Sequence, residues 1–222
     1  MQDWRSLTEF LATLNVSGEY WLCRGAIRCE LLGELKDWDD FDVMAEASDE
    51  ELHTAISKAS NGVSRTFHGG YSFRLRSGRK VDLWSLSSTA GHQCVSVADA
   101  IARFEFNVDA IARSVHNKTI IDPFNVYPEI INRRLRPLTP GVADLANPYL
   151  PWKAAYLVLR HRFVPDSRIV ELWQGEPSME GIPSQAIPAL RDELHRVGFG
   201  EELRAKLSRY HGLDAYLNVL AP

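Results

Sequence analysis

The sequence predicts an α+β fold, with a mixed β-sheet flanked by helices over residues 1–125 and a small all-helical region over residues 126–222. Three observations predict this division. Short runs of aromatic and β-branched residues, punctuated by glycines, are concentrated in the first part. Helical periodicity lies around these runs. In the second part the pattern is helical, and prolines break it into segments.

The chain is predicted to begin with a helix, a strand and a second helix. DWRSLTEFLATL at 3–14 places apolar side chains at helical spacing. YWLC at 20–23 predicts a short buried strand. RGAIRCELLG at 24–33 predicts a turn at Gly25 and then a helix that ends at Gly33, because glycine readily adopts the left-handed conformation that closes a helix.

A second strand is predicted over residues 39–45. Phe41 and Val43 alternate with Asp40 and Asp42, so the apolar and the acidic side chains point to opposite faces. The strand therefore has one face for the core and one face that carries two carboxylates.

A helix and three further strands are predicted next. SDEE at 48–51 is a capping box, which predicts a helix that runs to Ala59. VSRTF at 63–67, YSFRLR at 71–76 and KVDLWSL at 80–86 have strand composition. Glycines separate these three segments, which predicts a meander.

The remaining segments complete the sheet and then become helical. Residues 96–103 predict a short helix, while NVDAIARSV at 107–115 and TIIDPF at 119–124 predict strands or their approaches. LPWKAAYLVLRHRF at 150–163 is the clearest helix of the second part, apolar on one face and basic on the other.

Composition narrows the class of protein. The net charge of −4 gives no global basic field, so any contact with nucleic acid would use a local basic patch. No apolar run is long enough to cross a bilayer, and the amino-terminal sequence lacks the basic stretch of a signal peptide. The three cysteines form no CxxC pair, which is typical of reduced thiols. A cytoplasmic protein without a membrane partner is expected.

Four aspartates crowd the second strand and the loop before it: Asp37, Asp39, Asp40 and Asp42. Positions two apart on a strand point the same way, so Asp40 and Asp42 aim at one point while apolar neighbours anchor the strand. Asp37 and Asp39 meet only half of this pattern, so they are expected to flank the site in the loop. A solvated acidic loop is the alternative interpretation.

Asp82 supports the interpretation of Asp40 and Asp42 as part of a functional site. It is a lone acid in the otherwise apolar strand 80–86, and a buried carboxylate without a partner is costly. It must therefore reach solvent, a basic side chain or a metal. Two Mg²⁺ ions held between such carboxylates would activate an attacking oxygen and neutralise a leaving pyrophosphate. The predicted catalytic and metal-binding residues are Asp40, Asp42 and Asp82.

The stretch CRGAIRCELLGELKDWDDFDV at 23–43 resembles the head-domain signature of bacterial poly(A) polymerases and class II CCA-adding enzymes, in the polymerase-β-type nucleotidyltransferase superfamily. That signature runs Gly-Gly-x-x-Arg-Asp, then Leu-Leu-Gly, then Asp-x-Asp. The matching positions are Gly25, Arg28, Leu31, Leu32, Gly33, Asp40 and Asp42.

Two later stretches carry the same resemblance. In IARFEFNVDAIA, Arg103, Phe106 and Ala110 match the Arg-Arg-Asp-Phe-Thr-Ile-Asn-Ala stretch of that family. IIDPFN at 120–125 resembles the Ile-Asp-Pro-Phe that closes the head. The resemblance therefore implies a nucleotidyltransferase head domain over residues 1–125 and a helical, neck-like region over residues 126–222.

The resemblance also implies roles for individual residues. The three carboxylates would hold Mg²⁺, and the turn at Arg24-Gly25 would lie beside the triphosphate of an NTP, where a helix start favours anions. Two matched arginines would lie near the phosphates or the ribose. Lys153 lies near the place of the base-selecting Glu-Asp-x-x-Arg motif. The implied nucleotide-binding residues are Arg24, Gly25, Arg28, Arg103, Asp109 and Lys153.

Five positions depart from the signature. Arg24 replaces a glycine, Cys29 an aspartate, Phe104 an arginine, Glu105 an aspartate and Asp109 an asparagine. Asp109 places negative charge where a nucleotide is expected, which requires a nearby cation. The Glu-Asp-x-x-Arg motif is absent, so the preferred NTP is not predicted. The region after the head is also too short to match the tRNA-gripping body and tail.

The leading hypothesis is a Mg²⁺-dependent nucleotidyltransferase that transfers an NMP from an NTP to an acceptor hydroxyl, such as an RNA 3′ end, and releases pyrophosphate. RNA would contact a basic face, which is otherwise a solvated surface. That face comprises Lys153, Arg160, Arg162 and Arg168.

Two alternatives stay open. One is the same chemistry on a small molecule, as in antibiotic-modifying adenylyltransferases, or on a protein, and the unmatched tRNA-binding regions favour it. The other is a degenerate relative that binds a nucleotide or a partner without turnover, which the departures at Arg24, Phe104 and Asp109 motivate.

Overall fold

The computed structural model describes residues 2–35, 40–59, 63–66, 69–91, 93–138 and 149–175, with scattered positions between 177 and 220. The chain divides into two compact units, Met1–Ile131 and Asn132–Pro222. The predicted α+β class is confirmed, since a mixed sheet and its helices form the first unit. Within the described ranges, no helix combines the length and the apolar character that a membrane span requires.

A seven-stranded mixed sheet organises the first unit. Its strands are β1 (Tyr20–Cys23), β2 (Phe41–Ala45), β3 (Ser64–Arg65), β4 (Tyr71–Arg74), β5 (Lys80–Ser85), β6 (Ala112–Ser114) and β7 (Ile120–Ile121). Their order across the sheet is β3-β4-β5-β2-β1-β6-β7. Neighbours pair antiparallel except β2 and β5, which are parallel. The predicted meander is confirmed as β3-β4-β5.

Helices pack on both faces of this sheet. They are α1 (Gln2–Leu14), α2 (Arg24–Leu31), α3 (Asp49–Ala59), α4 (Val97–Ile101) and α5 (Tyr127–Ile131), with 3-10 helices at Leu86–Gly91 and Asn107–Asp109. On one face, the Trp4 ring of α1 lies 4.9 Å from the ring of Phe41. On the opposite face, Val97 and Ile101 of α4 belong to a buried cluster that includes Met44.

Local sequence signals explain the helix ends. Gly33, with a φ of +66°, follows the last turn of α2, as predicted. At the start of α3, the Ser48 hydroxyl accepts a hydrogen bond from the Glu51 N–H at 3.1 Å. The Glu51 carboxylate instead accepts hydrogen bonds from Ser17, through its N–H at 2.9 Å and its hydroxyl at 3.1 Å. The predicted capping box therefore caps α3 with its serine, while its glutamate ties α3 to the segment before β1.

The face of β2 and β5 that packs on α4 is apolar toward the strand ends and polar toward the strand starts. Toward the strand ends it carries Met44 and Trp84, which pack in the apolar cluster. Toward the strand starts the same face carries Asp42, Lys80 and Asp82, since side chains on one face recur every two residues. The apolar half of this face anchors both strands, and the polar half forms the candidate site.

The described part of the second unit is mainly helical. It includes the helices α6 (Leu150–His161), α7 (Ser167–Leu172) and α8 (Leu213–Leu220) and the short strands β8 (Arg134–Leu135) and β9 (Val164–Pro165). α6 confirms the helix predicted over 150–163. The parallel β8-β9 pair was not predicted, because a two-residue strand is too short to show alternation. Trp152 packs against Tyr216 with ring centroids 5.0 Å apart.

Candidate active site

The structure brings two of the predicted carboxylates side by side. β2 and β5 run parallel, and Asp42 pairs in register with Asp82. Register partners on neighbouring strands project from the same face of a sheet, about 5 Å apart. Asp40 lies immediately before β2, two residues ahead of Asp42, and is half-exposed. Asp40 and Asp42, which alternate with apolar residues, therefore share one face of the sheet with the lone acid of β5.

Lys80 lies among these carboxylates. Its Nζ donates a hydrogen bond to Asp82 Oδ2 at 2.7 Å and lies 3.8 Å from Asp40 Oδ2. Burial lowers the pKa of Lys80, but its hydrogen bond to Asp82 and the charges of Asp82, Asp40 and Asp42 raise the pKa overall. The side chain is thus a stable ammonium ion. Lys80 was not predicted as a site residue, although its position two residues before Asp82 on one strand places both side chains on the same face.

Asp42 is the most strongly perturbed acid of the site. Burial and the nearby charge of Asp40 raise the pKa of Asp42 to about 7, with smaller contributions from Asp82 and Asp109, while Arg24 acts in the opposite direction. An aspartate with such a pKa resists ionisation until a cation compensates its charge. The arrangement therefore favours the binding of a positive ion beside Asp42.

The carboxylate oxygens of the site are ligands of the kind that suit a divalent cation. Asp40 and Asp42 present carboxylates of the kind that Mg²⁺ combines with substrate phosphates. Asp82 Oδ1 is buried without a hydrogen-bond partner among the described residues, whereas Oδ2 is bonded to Lys80. In the described part of the chain, no three His, Cys, Asp or Glu side chains converge as a metal-binding group. We therefore expect Asp40 and Asp42 to hold an ion, whereas Asp82 is joined to a lysine through one of its two oxygens.

The helix that follows β1 begins next to Asp42. Cys23, its N-cap residue, makes no side-chain hydrogen bond to the first turn of α2. Cys23 is also the register partner of Asp42. A Cβ atom added to Gly25 would lie 3.7 Å from Asp42 Oδ2, so the absence of a side chain leaves open space between the helix start and the carboxylate. Exposed N–H groups at such a position attract anions, including phosphates.

Arg24 has the backbone conformation of a glycine, with a φ of +54°. Its guanidinium stacks on the Phe104 ring, 4.5 Å from the centroid, and its Nη2 lies 3.7 Å from Glu105 Oε2. Three departures from the head-domain signature therefore contact one another. The arginine occupies a position where the signature has a glycine, and the residues that replace arginine and aspartate hold it in place.

Asp109 and Arg28 form a buried ion pair, in which each charge is neutralised by the other. The Arg28 Nη1 donates to Asp109 Oδ1, and both side chains are almost fully buried. The cation that Asp109 was expected to require is thus Arg28. These two predicted nucleotide-binding residues lie beneath the helix start, paired with each other.

The other predicted residues belong to other elements of the chain. Arg103 forms an ion pair with Asp99 at 3.2 Å. Lys153 is half-buried on α6, in the second unit. In the predicted basic face, Arg168 is paired with Asp166 at 3.1 Å. The expectation that Asp37 and Asp39 flank the site concerns residues outside the described ranges.

Solved structures of CCA-adding enzymes have a similar fold. The chain aligns with the Bacillus stearothermophilus CCA-adding enzyme in complex with CTP at a TM-score of 0.66 and 22 % identity, over 98 % of this chain and 52 % of that one. The Thermotoga maritima CCA-adding enzyme complexed with tRNA aligns at 0.65 and 19 %, over 96 % and 50 %. A tRNA nucleotidyltransferase complexed with a primer tRNA and an incoming ATP analogue aligns at 0.64 and 19 %, over 96 % and 62 %.

The similarity concerns the fold and a part of each enzyme. The chain spans about half the length of the CCA-adding enzymes that it matches. No protein-family model matches the sequence, and no curated protein sequence matches it. The resemblance to CCA-adding enzymes predicted from the motifs is confirmed at the level of the fold, over nearly the whole chain.

Proposed function

We propose that this protein is a Mg²⁺-dependent nucleotidyltransferase, which transfers an NMP from an NTP to an acceptor hydroxyl and releases pyrophosphate. One observation carries the proposal: Asp42 and Asp82 pair in register on parallel strands, with Asp40 two residues before Asp42, directly beside the start of α2. This arrangement supports the proposal, because carboxylates that would hold a cation lie beside a helix start whose backbone N–H groups would bind phosphates.

Each group has a role in this mechanism. Asp40 and Asp42 would hold Mg²⁺, which when bound supplies charge neutralisation to the triphosphate and the leaving pyrophosphate. The first turn of α2 would bind phosphate oxygens through its N–H groups, and Gly25 keeps the approach open. Positioning and charge neutralisation account for most of the rate enhancement in phosphoryl chemistry of this kind.

The basic groups divide into contacting and supporting residues. The positive charge of Arg24 acts on the Asp42 carboxyl group and opposes the rise in its pKa that burial causes, and we assign Arg24 to the triphosphate. Arg28 and Asp109 would hold the start of α2 in position through their buried pair. Arg103 and Lys153 remain candidate nucleotide contacts from the resemblance alone.

The acceptor we favour is an RNA 3′ end. The supporting observation is the fold shared with enzymes in complex with tRNA, over about half of their length. Fold similarity is a weak guide to a substrate, so an acceptor hydroxyl on a small molecule or a protein is the second candidate. The third candidate is a protein that binds a nucleotide without turnover. The ion pair between Asp82 and Lys80 favours this candidate, because it engages one of the three predicted catalytic carboxylates.

Nucleotide transfer is tested by incubating the protein and Mg²⁺ with each α-³²P-labelled NTP and either total RNA or a cell extract. Label in RNA supports the first acceptor, and label in small molecules or protein supports the second. Asp40→Asn/Asp42→Asn should abolish the label, whereas Asp214→Asn, an exposed aspartate on α8, should leave it unchanged.

The opposite results are equally informative. Label that survives in Asp40→Asn/Asp42→Asn would exclude the proposed site. Measurable nucleotide binding without label under any condition would reject the transferase and leave the non-catalytic nucleotide-binding protein.

A further inference from the structure

Four side chains form a two-by-two arrangement on one face of β2 and β5. Asp42 and Asp82 are register partners, and continuing the register by two residues brings Asp40 beside Lys80. The contact of 3.8 Å between Lys80 Nζ and Asp40 Oδ2 agrees with this continuation. The arrangement therefore contains three acids and one base, with Lys80 diagonal to Asp42.

The direction of Lys80 follows from its strand. Val81 is buried on the opposite face of β5, and Arg79 lies over the Phe41 ring, 4.9 Å from the centroid, on that same opposite face. Because side chains alternate along a strand, Lys80 must project with Asp82 toward the carboxylates. The hydrogen bond of 2.7 Å from Lys80 to Asp82 is thus a consequence of the strand register.

The ammonium ion of Lys80 occupies the space that a cation bridging Asp82 and Asp40 would take. It contacts one oxygen of each of these carboxylates. A divalent ion at the same place would lie within about 4 Å of the Lys80 ammonium ion, and like charges at this distance repel each other even near a protein surface. Lys80 and a second metal ion therefore compete for this place.

We propose that Lys80 is a built-in replacement for the second cation, so that this protein binds its substrate NTP with one divalent ion rather than two. The ion lies at Asp40 and Asp42, and Lys80 neutralises Asp82 and the outer oxygen of Asp40. This inference rests on the proposed nucleotidyltransferase function and specifies the cation content of its site.

The number of bound ions is the direct test. The protein is crystallised with Mn²⁺ and a nonhydrolysable NTP, α,β-methylene-ATP or α,β-methylene-CTP, and Mn²⁺ ions are counted in anomalous difference maps. The wild type should show one ion, between Asp40 and Asp42. Lys80→Met, which keeps the length of the side chain but removes its charge, should gain a second ion against Asp82. Lys80→Arg should keep one.

Solution measurements supply a second readout. Mn²⁺ bound by the protein–nucleotide complex is counted by electron paramagnetic resonance of the free ion, and folding of each variant is checked by circular dichroism. Lys80→Met should bind about one more Mn²⁺ per chain than the wild type. If Lys80→Met does not fold, Lys80→Gln, which also removes the charge, takes its place.

Each contrary result has a distinct meaning. Two ions in the wild type, or one in both the wild type and Lys80→Met, would overturn the inference about Lys80 and leave the proposed function in place. No bound ion and no bound nucleotide in the wild type would overturn both.

Discussion

At the scale of single residues, four of the five departures from the head-domain signature make compensating contacts. Arg24 stacks on Phe104 and lies beside Glu105, and Asp109 is paired with Arg28. Each departure taken alone suggests damage, because it adds or removes a charge or a side chain near the phosphates. The contacts show that the added charges of Arg24 and Asp109 each have a partner close in space. Their sequence separation is about eighty residues, so only the fold reveals the pairs.

The buried Arg28–Asp109 pair should be a large contributor to stability. Asp109→Asn leaves a buried guanidinium without its carboxylate, so we expect a loss of about 3 kcal/mol in the free energy of unfolding. Urea denaturation measures it. The matched control is Glu9→Gln, which breaks the exposed Arg5–Glu9 pair and should cost less than about 1 kcal/mol. Equal losses for the two variants would contradict a structural role for the buried pair.

The raised pKa of Asp42 predicts a pH-dependent stability in metal-free buffer. Between about pH 4, where an unfolded aspartate ionises, and about pH 7, its value in the fold, only the folded state keeps the proton. Stability contributed by Asp42 is therefore lost as the pH rises through this window, and the loss is complete above it. Relative to Asp42→Asn, the wild type should lose about 1 to 3 kcal/mol from pH 4 to pH 7.

The measurement is thermal or urea unfolding of both proteins with a chelator present. Lys80→Arg, which keeps a cation in the site, should follow the wild type. Parallel stability curves for the wild type and Asp42→Asn would show that Asp42 ionises normally.

At the scale of elements, the parallel pairing of β2 with β5 decides what the site contains. Alternation along each strand was sufficient to predict that Asp40 and Asp42 share a face and that Asp82 is special. Alternation could not predict which strands pair or in which register, because pairing joins segments about forty residues apart. The same alternation placed Lys80 on the face of Asp82, so this residue was predictable, whereas its contact with Asp40 was not.

The antiparallel pairing of β1 and β2 depends on a glycine before β1. A Cβ on Gly18 would lie 1.9 Å from the Glu46 carbonyl oxygen, and the neighbouring Glu46 N–H donates to Glu19 O at 2.8 Å. Gly18→Ala must push the two segments apart, so we expect a loss of at least about 2 kcal/mol in urea unfolding. Gly175→Ala is the control, since nothing lies within 4 Å of its added Cβ. Tolerance of Gly18→Ala equal to that of the control would contradict this close approach.

At the scale of the whole molecule, the carboxylates, Lys80 and the start of α2 all belong to the first unit, Met1–Ile131. The fold of this unit was predictable because its motifs occur in a fixed order with strand and helix signals between them. The second unit was predicted only as helical, since its short strands and its internal ion pairs leave little periodic trace in the sequence.

Binding of Mg²⁺ with a nonhydrolysable NTP should stabilise the protein by mass action. At a ligand concentration of about 100 times Kd, the gain is about 2.7 kcal/mol, which corresponds to a rise in Tm of about 5 to 10 °C for a chain of this size. Differential scanning fluorimetry measures it. The rise should disappear with a chelator and in Asp40→Asn/Asp42→Asn, and persist in Asp214→Asn. An unchanged Tm for the wild type across all NTP analogues would contradict nucleotide binding.

The strand order also has a consequence for biosynthesis. The central strands β1 and β2 leave the ribosome first, but the strands that flank them, β6 and β5, are made later. Until residues 80–85 emerge, the β2 edge is open, and the β1 edge stays open until residues 112–114 emerge. Open edges invite pairing with other chains. The nascent chain is therefore most exposed to aggregation while the middle of the protein is being translated, and slowing translation there should lower the soluble yield.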